Sequence, residues 1–282
     1  MLTATPKLLT ALLVIAIAFF SSCYSVNKQE PSLKQYDLDH PKIMSLPSSL
    51  NEISGIVYYP KDTSIFAISD ASGFLYKIYL RTQQIKRWKF GSNHDYEDLQ
   101  LLDSTFYILS SNGTIVTLRF DASNNMQTKQ YSFTGKGKNE FESLYYDDEQ
   151  KKLMLLCKDC KEDARSISGV WSFDPVTTTF TKESFSVDIS NVSKNEVEKR
   201  KKFHPSAAAI HPVTHQLFIL SSVNKALVIA DKNGNVQEAY PLNPGLYKQP
   251  EGIAFTPTGD MIISNESAGE GNANLLLLKF KR

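Results

Sequence analysis

The chain has 282 residues, enough for one large all-β domain or two smaller ones. Its 31 basic and 30 acidic residues nearly cancel, which excludes the global positive field that draws a protein to nucleic acid. The 13 Tyr and 16 Phe suit a strand-rich protein.

The first predicted element is a targeting segment. Lys7 gives a thin positive flank to the apolar residues 8–20, and Ser21-Ser22-Cys23 follows. That stretch is short for a membrane span, so residues 1–22 read as an export signal. Small residues directly before a cysteine resemble a bacterial lipobox, with Phe20 in place of the usual Leu. The resemblance implies cleavage before Cys23 and acylation of its thiol. The mature chain is then a membrane-anchored lipoprotein of the bacterial envelope, facing the periplasm or the cell surface. An ordinary secretory signal with an incidental cysteine is the alternative. Residues 23–41 are polar, contain Pro31 and Pro41, and read as a tether ahead of a single domain over 42–282.

From there a phrase recurs: "NEISGIVYYP", "YEDLQLL", "FESLYY" and "PEGIAF". Aligning Glu52, Glu97, Glu142, Ser206 and Glu251 gives spacings of 45, 45, 64 and 45 residues. Self-similarity at this period predicts propeller blades. Each unit continues with a turn and a second apolar run: "IFAIS" 65–69, "FYILS" 106–110, "LMLLC" 153–157, "LFILS" 217–221 and "MIISN" 261–265. Third runs follow, such as "FLYKIYL" 74–80, and then more polar fourth runs, such as "QIKRWKF" 84–90. Four short strands with a polar outer member fit a blade. The fold class is therefore all-β, a five-bladed propeller. A six-bladed ring is the alternative if the long third spacing supplies extra strands. The fifth unit ends at Arg282 without a fourth strand, so "KIMSL" at 42–46 is predicted to complete it and close the ring.

In an antiparallel meander the first strand starts on the face where the second one ends. Glu52, Glu97, Glu142, Ser206 and Glu251 should therefore share a face with Asp70, Ser111, Lys158, Ser222 and Glu266. Repelling carboxylates raise one another's pKa unless a cation or donors compensate them. Glu52, Asp70, Glu97, Glu142, Glu251 and Glu266 are accordingly the candidate metal ligands, with calcium as the ion that suits an open oxygen site. Lys158, Ser111, Ser206 and Ser222 are candidate ligand-binding residues. The competing reading is that the carboxylates accept hydrogen bonds from neighbouring backbone N–H groups.

Two long connections, 158–168 and 188–205, should emerge on the same face and suit recognition. The basic run 199–202 could meet an anionic group or be a solvated loop, and His204 and His211 read as turn residues. "CKDC" at Cys157 and Cys160 reads as a structural or incidental pair, because a four-thiolate zinc site lacks its other two cysteines. There is no G-x-S-x-G elbow, no H-E-x-x-H and no phosphate-binding glycine loop. "GKGKNE" at 135–140 reads as a turn between blades.

Together "LNEISGIVYY", "DYEDLQLL", "FESLYYDDEQKKLMLLCK", "FHPSAAAIHPVTHQLFILSS" and "QPEGIAFTPTGDMIISNE" resemble the YjiK-like, or SdiA-regulated, family of bacterial envelope β-propellers. The resemblance covers nearly everything from Leu50 onward. It implies a propeller that is often exported or membrane-attached, similar to phytase-like propellers and linked to calcium. The family's acidic positions fall on Glu52, Asp70, Glu97, Glu142, Glu251 and Glu266. One departure is Asp70-Ala71, where an acidic pair is expected.

The leading expectation is a noncatalytic lipoprotein propeller, anchored through Cys23, that binds calcium and presents a loop-rich face to a ligand or protein partner, with no nucleic acid involved. The alternatives are a calcium-dependent phytase-like phosphohydrolase, or a lactonase-like hydrolase on the strength of "PEGIAF".

Overall fold

The computed structural model describes residues 33–192, 202–269 and 271–281. Strand β1 (Lys42–Ser45) is followed by a short 3-10 turn at Ser48–Leu50. Blade 1 comprises β2 (Ile53–Tyr59), β3 (Ser64–Ser69), β4 (Ser72–Tyr79) and β5 (Ile85–Lys89). Blade 2 comprises β6 (Tyr96–Leu102), β7 (Thr105–Ser110), β8 (Ile115–Phe120) and β9 (Met126–Tyr131). Blade 3 comprises β10 (Phe141–Asp147), β11 (Lys152–Cys157), β12 (Ile167–Asp174) and β13 (Thr179–Asp188). Blade 4 comprises β14 (Ala207–Ile210), β15 (Leu217–Ser221), β16 (Ala226–Ala230) and β17 (Val236–Pro241). Blade 5 takes β18 (Pro250–Phe255), β19 (Met261–Asn265) and β20 (Asn274–Leu278).

The protein is a five-bladed β-propeller built from five four-stranded antiparallel sheets. The fourth strand of blade 5 is β1, paired with β20 in the register Lys42↔Leu277 to Ser45↔Asn274. Leu46 extends the pairing with one further bond to the Ala273 carbonyl at 2.9 Å. The predicted closing strand thus covers the edge of β20 and joins the two ends of the chain in one sheet. The long spacing between Glu142 and Ser206 is absorbed by the ten-residue β13 and its flanking loops, and no sixth sheet forms among the described residues.

Burial follows strand position. The second strands β3, β15 and β19 are buried at every residue, whereas the outer strands β5 and β9 are largely exposed. Both faces of an inner strand pack against neighbouring blades, so its side chains cannot alternate between apolar and polar as they would on a half-solvated sheet. The core accordingly lies in five seams. One joins Phe66, Ile68 and Leu75 of blade 1 to Leu99, Ile108 and Leu118 of blade 2. Another brings Ile253, Met261 and Leu276 of blade 5 against Phe218, Leu227 and Ile229 of blade 4.

Leu33 and Tyr36 are buried in that last seam. The packed domain therefore begins ahead of the expected boundary at Lys42, and residues 33–41 belong to it. The Tyr36 hydroxyl lies 2.7 Å from His211 Nε2 and donates to the Gly259 carbonyl. Burial pushes this hydroxyl's pKa far up, which keeps it a donor. His211, expected to be a turn residue, also accepts from the backbone N–H groups of Val213 and Thr214 and is fully buried.

The turns joining first to second strands all lie on one face, called here the hairpin face. Each closes on a left-handed residue: Thr63, Asp103, Lys151, His215 or Gly259. The opposite face, where first strands begin and second strands end, is the mouth.

Candidate functional site

The mouth is shaped by a repeated β-bulge. Tyr96 pairs with Ser110 and Asp98 with Leu109, which leaves Glu97 as the extra residue on its strand. The same offset leaves Glu142 between Phe141 and Ser143, and Glu251 between Pro250 and Gly252. A bulge residue is released from the ladder and re-aimed. Here it turns three carboxylates onto the cavity at the mouth.

In blade 1 the shift spans Ile53 to Ile56, opposite Ser69 to Ala67. The extra residue is therefore Ser54, and Glu52 sits two positions earlier, in the turn before β2. Aligning Glu52 with Glu97 by sequence was thus out of register. The structural ring is Ser54, Glu97, Glu142, Ser206 and Glu251.

A second tier comes from residues just past the second strands: Asp70, Ser111, Lys158, Ser222 and Glu266. Glu52 belongs to a third tier with Asp95, Glu140, His204 and Gln249. Backbone bonds link the outer tiers, with Asp70 N donating to Glu52 O at 3.1 Å, Ser111 to Asp95 at 3.0 Å, Lys158 to Glu140 at 2.8 Å and Glu266 to Gln249 at 2.9 Å.

Apart from Glu52, which is exposed outside it, and Ser111, residues of these tiers enclose a cavity of about 320 Å³. Asp70, Glu97, Glu142, Glu251 and Glu266 line it, joined by Asp95 and Glu140, which the sequence reading missed. Lys158, Ser206 and Ser222 line it as expected. Ser111 does not, because its hydroxyl is turned to Asp95 Oδ2 at 2.5 Å. Asp95, Glu140, His204 and Gln249 all fall two residues before the bulge position, a spacing visible only once Ser54 is placed in the ring.

Electrostatics divide the cavity. Lys158 bridges Glu142 and Glu140, at 3.3 Å from the latter, and neutralises that side. His204 Nδ1 is buried without a hydrogen-bond partner, and burial followed by the nearby Lys158 lowers the pKa of its ring. On the far side the acids face one another. Burial, then Asp95, pushes the Glu97 carboxyl up to about 8. Burial pushes Glu251 up to about 7. Burial, then Glu251, Asp70 and Glu52, raises Glu266 to about 8. Asp70 rises to about 6 through burial and the adjacent Glu52.

Glu52, Asp70 and Glu266 converge, each offering a carboxylate oxygen within 4.8 Å of the other two. Asp70 Oδ1 is buried with no hydrogen-bond partner, and Glu266 takes one bond from Gln249 Nε2 at 2.8 Å. The six carboxylates expected to form one set thus divide. Glu52, Asp70 and Glu266 cluster, Glu97 and Glu251 stand beside them, and Glu142 is held by Lys158.

Cys157 and Cys160 are joined in a disulfide with a Cα–Cα distance of 5.9 Å, both buried beside the loop that carries Lys158. Asp163 lies near the pair and is bonded by the Gly169 N–H at 2.7 Å. Lys202, the described member of the basic run, is paired with Asp159 at 2.9 Å. Cys23 and residues 199–201 lie outside the described residues. Among the described residues no helix is long and apolar enough to cross a membrane.

The SdiA-regulated family model matches residues 32–269, nearly the whole described domain. The chain belongs to the SdiA-regulated family. Solved structures similar to this SdiA-regulated chain include glutaminyl cyclase from Myxococcus xanthus, at 14% identity and a TM-score of 0.59 over 86% of this chain and 97% of that one. The PQQ-bound aldose sugar dehydrogenase from Streptomyces coelicolor aligns at 10% identity and a TM-score of 0.52, covering 86% and 99%. The calcium-binding protein regucalcin from Agrobacterium tumefaciens aligns at 13% and 0.50, covering 88% and 94%. Identities this low establish the fold alone. No curated protein matches the chain by sequence.

Proposed function

We propose that this SdiA-regulated propeller is an envelope lipoprotein whose mouth binds a divalent cation, calcium, and presents the surrounding loops to a ligand or protein partner. The observation that carries the cation is the convergence of Glu52, Asp70 and Glu266 around a buried, unpartnered Asp70 oxygen. Calcium takes oxygens at roughly 2.3–2.6 Å, so two ligands on one ion can lie up to about 5 Å apart. The three carboxylates meet that spacing, and they are drawn from a turn and two strand ends that can adjust to a flexible coordination shell. The ion would relieve the repulsion that raises Asp70 and Glu266. The calcium-binding neighbour is consistent with this reading.

A polyphosphorylated substrate would need several free cations. Among the described residues lining the cavity the one Lys or Arg is Lys158, and it is held by Glu140 and Glu142. Binding is therefore the better reading than phytase-like hydrolysis. The test is calorimetric titration of the metal-free protein with calcium, repeated with Glu52→Gln, and a phosphate-release assay on phytate. One calcium bound by the unmodified chain, weakened in the variant, with no phosphate released, is expected. Absence of calcium binding defeats the cation reading, and calcium-dependent phosphate release replaces it with the enzyme.

A further inference from the structure

We propose that the hollow at the hairpin end of the seam between blades 5 and 1 is a second binding site, shaped for a single carboxylate on an aliphatic body, the chemistry of a medium-chain fatty acid. The site stands independently of the cation at the mouth, which lies at the opposite end of the ring.

In this seam one cross-strand row of each blade faces the other. Ala254, Ile262, Leu277 and Lys42 are successive partners across blade 5, and Tyr58, Ile65, Ile78 and Ile85 across blade 1. Their apolar members belong to one cluster. Three other seams are packed with rings towards their hairpin ends. Tyr59, Phe66 and Phe106 meet between blades 1 and 2, and Tyr107, Phe173 and Phe180 between blades 2 and 3. His211, Phe218, Phe255 and Phe280 do the same between blades 4 and 5. Between blades 5 and 1 the walls stand apart around a depression of about 540 Å³, and Tyr58 is the single ring on its lining. Leu80, Pro257, Ile262 and Leu277 supply the rest of its apolar surface. Interiors are otherwise close-packed, so side chains left apart forgo contacts that a guest can restore. Hollows of roughly 300–1,000 Å³ take small organic ligands.

Charge at the rim selects the head group. Lys42 lines the hollow from blade 5 and Arg81 from blade 1. The acids of the two adjoining turns are already engaged. Asp260, on the lining, is paired with Lys279 at 2.6 Å and accepts from Phe280 N at 3.0 Å. Asp62 is paired with Lys77 at 2.6 Å and accepts from the Ser64 hydroxyl at 2.6 Å. Among the described residues neither Lys42 nor Arg81 has an ion pair. Two unpaired cations therefore stand over an aliphatic floor. A carboxylate can accept two parallel bonds from the guanidinium and a further one from the ammonium. A purely apolar guest leaves both cations unmatched, and a larger anion brings surplus negative charge against Asp260.

The test titrates the full chain with decanoate below its micellar concentration, with acetate as the head alone and decanol as the tail alone. Methyl resonances of Leu80, Ile262 and Leu277 report where the probe binds. Decanoate should shift all three, acetate none, and decanol should bind at least ~10-fold more weakly than decanoate. Lys42 and Arg81 are both exposed, so Lys42→Gln/Arg81→Gln leaves the packing intact. That variant should weaken decanoate by a similar factor and leave decanol binding unchanged. No binding at millimolar decanoate, or shifts that spare these methyls, overturns the site. Decanol binding as tightly as decanoate, or full decanoate affinity in the double variant, overturns the carboxylate as the group recognised. None of these outcomes bears on calcium at the mouth.

Discussion

The backbone N–H of Asp70 donates to the carbonyl of Glu52 at 3.1 Å, so a single main-chain bond holds two carboxylates at the same corner of the mouth. Glu266 arrives from blade 5 to complete the group, each residue placing one oxygen within 4.8 Å of the others. Folding brings these charges together, so the metal-free protein bears their repulsion and a bound cation would remove it. The double variant Asp70→Asn/Glu266→Gln should melt at or above the temperature of the unmodified protein in chelator. Calcium at about 100 times its dissociation constant stabilises a binding fold by ~2.7 kcal/mol, and the variant should lose most of that gain. Calorimetric melting of both proteins with and without calcium reads the two effects; an undiminished calcium shift in the variant would place the ion elsewhere.

The raised carboxyls also fix a pH dependence. Glu97 and Glu266 lie near 8 and Glu251 near 7 in the folded chain, against ordinary values near 4.5. Between those limits the folded state holds more protons than the unfolded one, so stability falls as pH rises. The stabilising contribution is complete below about pH 4.5 and is lost as pH climbs through 7 to 8. Metal-free protein should therefore melt progressively lower from pH 5 to 8.5. Calcium needs the ionised forms, so its shift should grow over the same range and flatten the profile. Melting curves at half-unit pH steps in chelator settle it: a flat metal-free profile means these carboxyls are not perturbed.

The disulfide closes a very short loop. In the chain-entropy account a loop of four residues is worth ~2 kcal/mol, at the low end for a disulfide. Its bonded cysteines flank Lys158, the cation that bridges Glu140 and Glu142. Cys157→Ser/Cys160→Ser should therefore lower stability by about 2 kcal/mol in urea unfolding while the five blades persist. A loss of cooperative unfolding would show that the pair organises blade 3 rather than trimming its loop.

Much of this was legible before the structure. The repeated phrase located the first strands, and the missing fourth strand of the last unit pointed to residues 42–46 as the closure. Glu97, Glu142 and Glu251 were found because each stands at the head of the recurring phrase, a local pattern. Glu52 was misplaced because blade 1 puts Ser54 at the bulge, and a bulge position depends on pairing with the neighbouring strand. The grouping of Glu52 with Asp70 and Glu266 depends on contact between blades 1 and 5, the first and last in the chain. The burial of Leu33 and Tyr36 was hidden for a related reason: their partners, His211 and Gly259, lie 175 and 223 residues away from Tyr36.

Asp98 offers the sharpest test of how blades are joined. It is fully buried on β6, and burial drives its carboxyl well above the usual range. Its Oδ1 accepts from Leu99 N at 2.8 Å, and its Oδ2 accepts from Leu144 N, in the first strand of the next blade, at 2.7 Å. The corresponding positions in the other blades are Gly55, Ser143, Ala207 and Gly252, all small. Gly55 must be small because a Cβ there would come within 2.3 Å of Asp98 Oδ1 and 2.5 Å of its Cα. Asp98→Ala leaves two buried donors unpaired, each costing ~1–3 kcal/mol, so a loss on the order of 3 kcal/mol is expected. Gly55→Ala should cost ~1–3 kcal/mol through overpacking. Because the two residues touch, the double variant should lose less than the sum, with a coupling of about 1 kcal/mol or more. Part of the clash survives, since the Asp98 Cα and Leu99 N remain within 2.8 Å of the added methyl. Urea unfolding of the four proteins reads the cycle, and strict additivity would mean that the Asp98 carboxylate is not what keeps residue 55 a glycine.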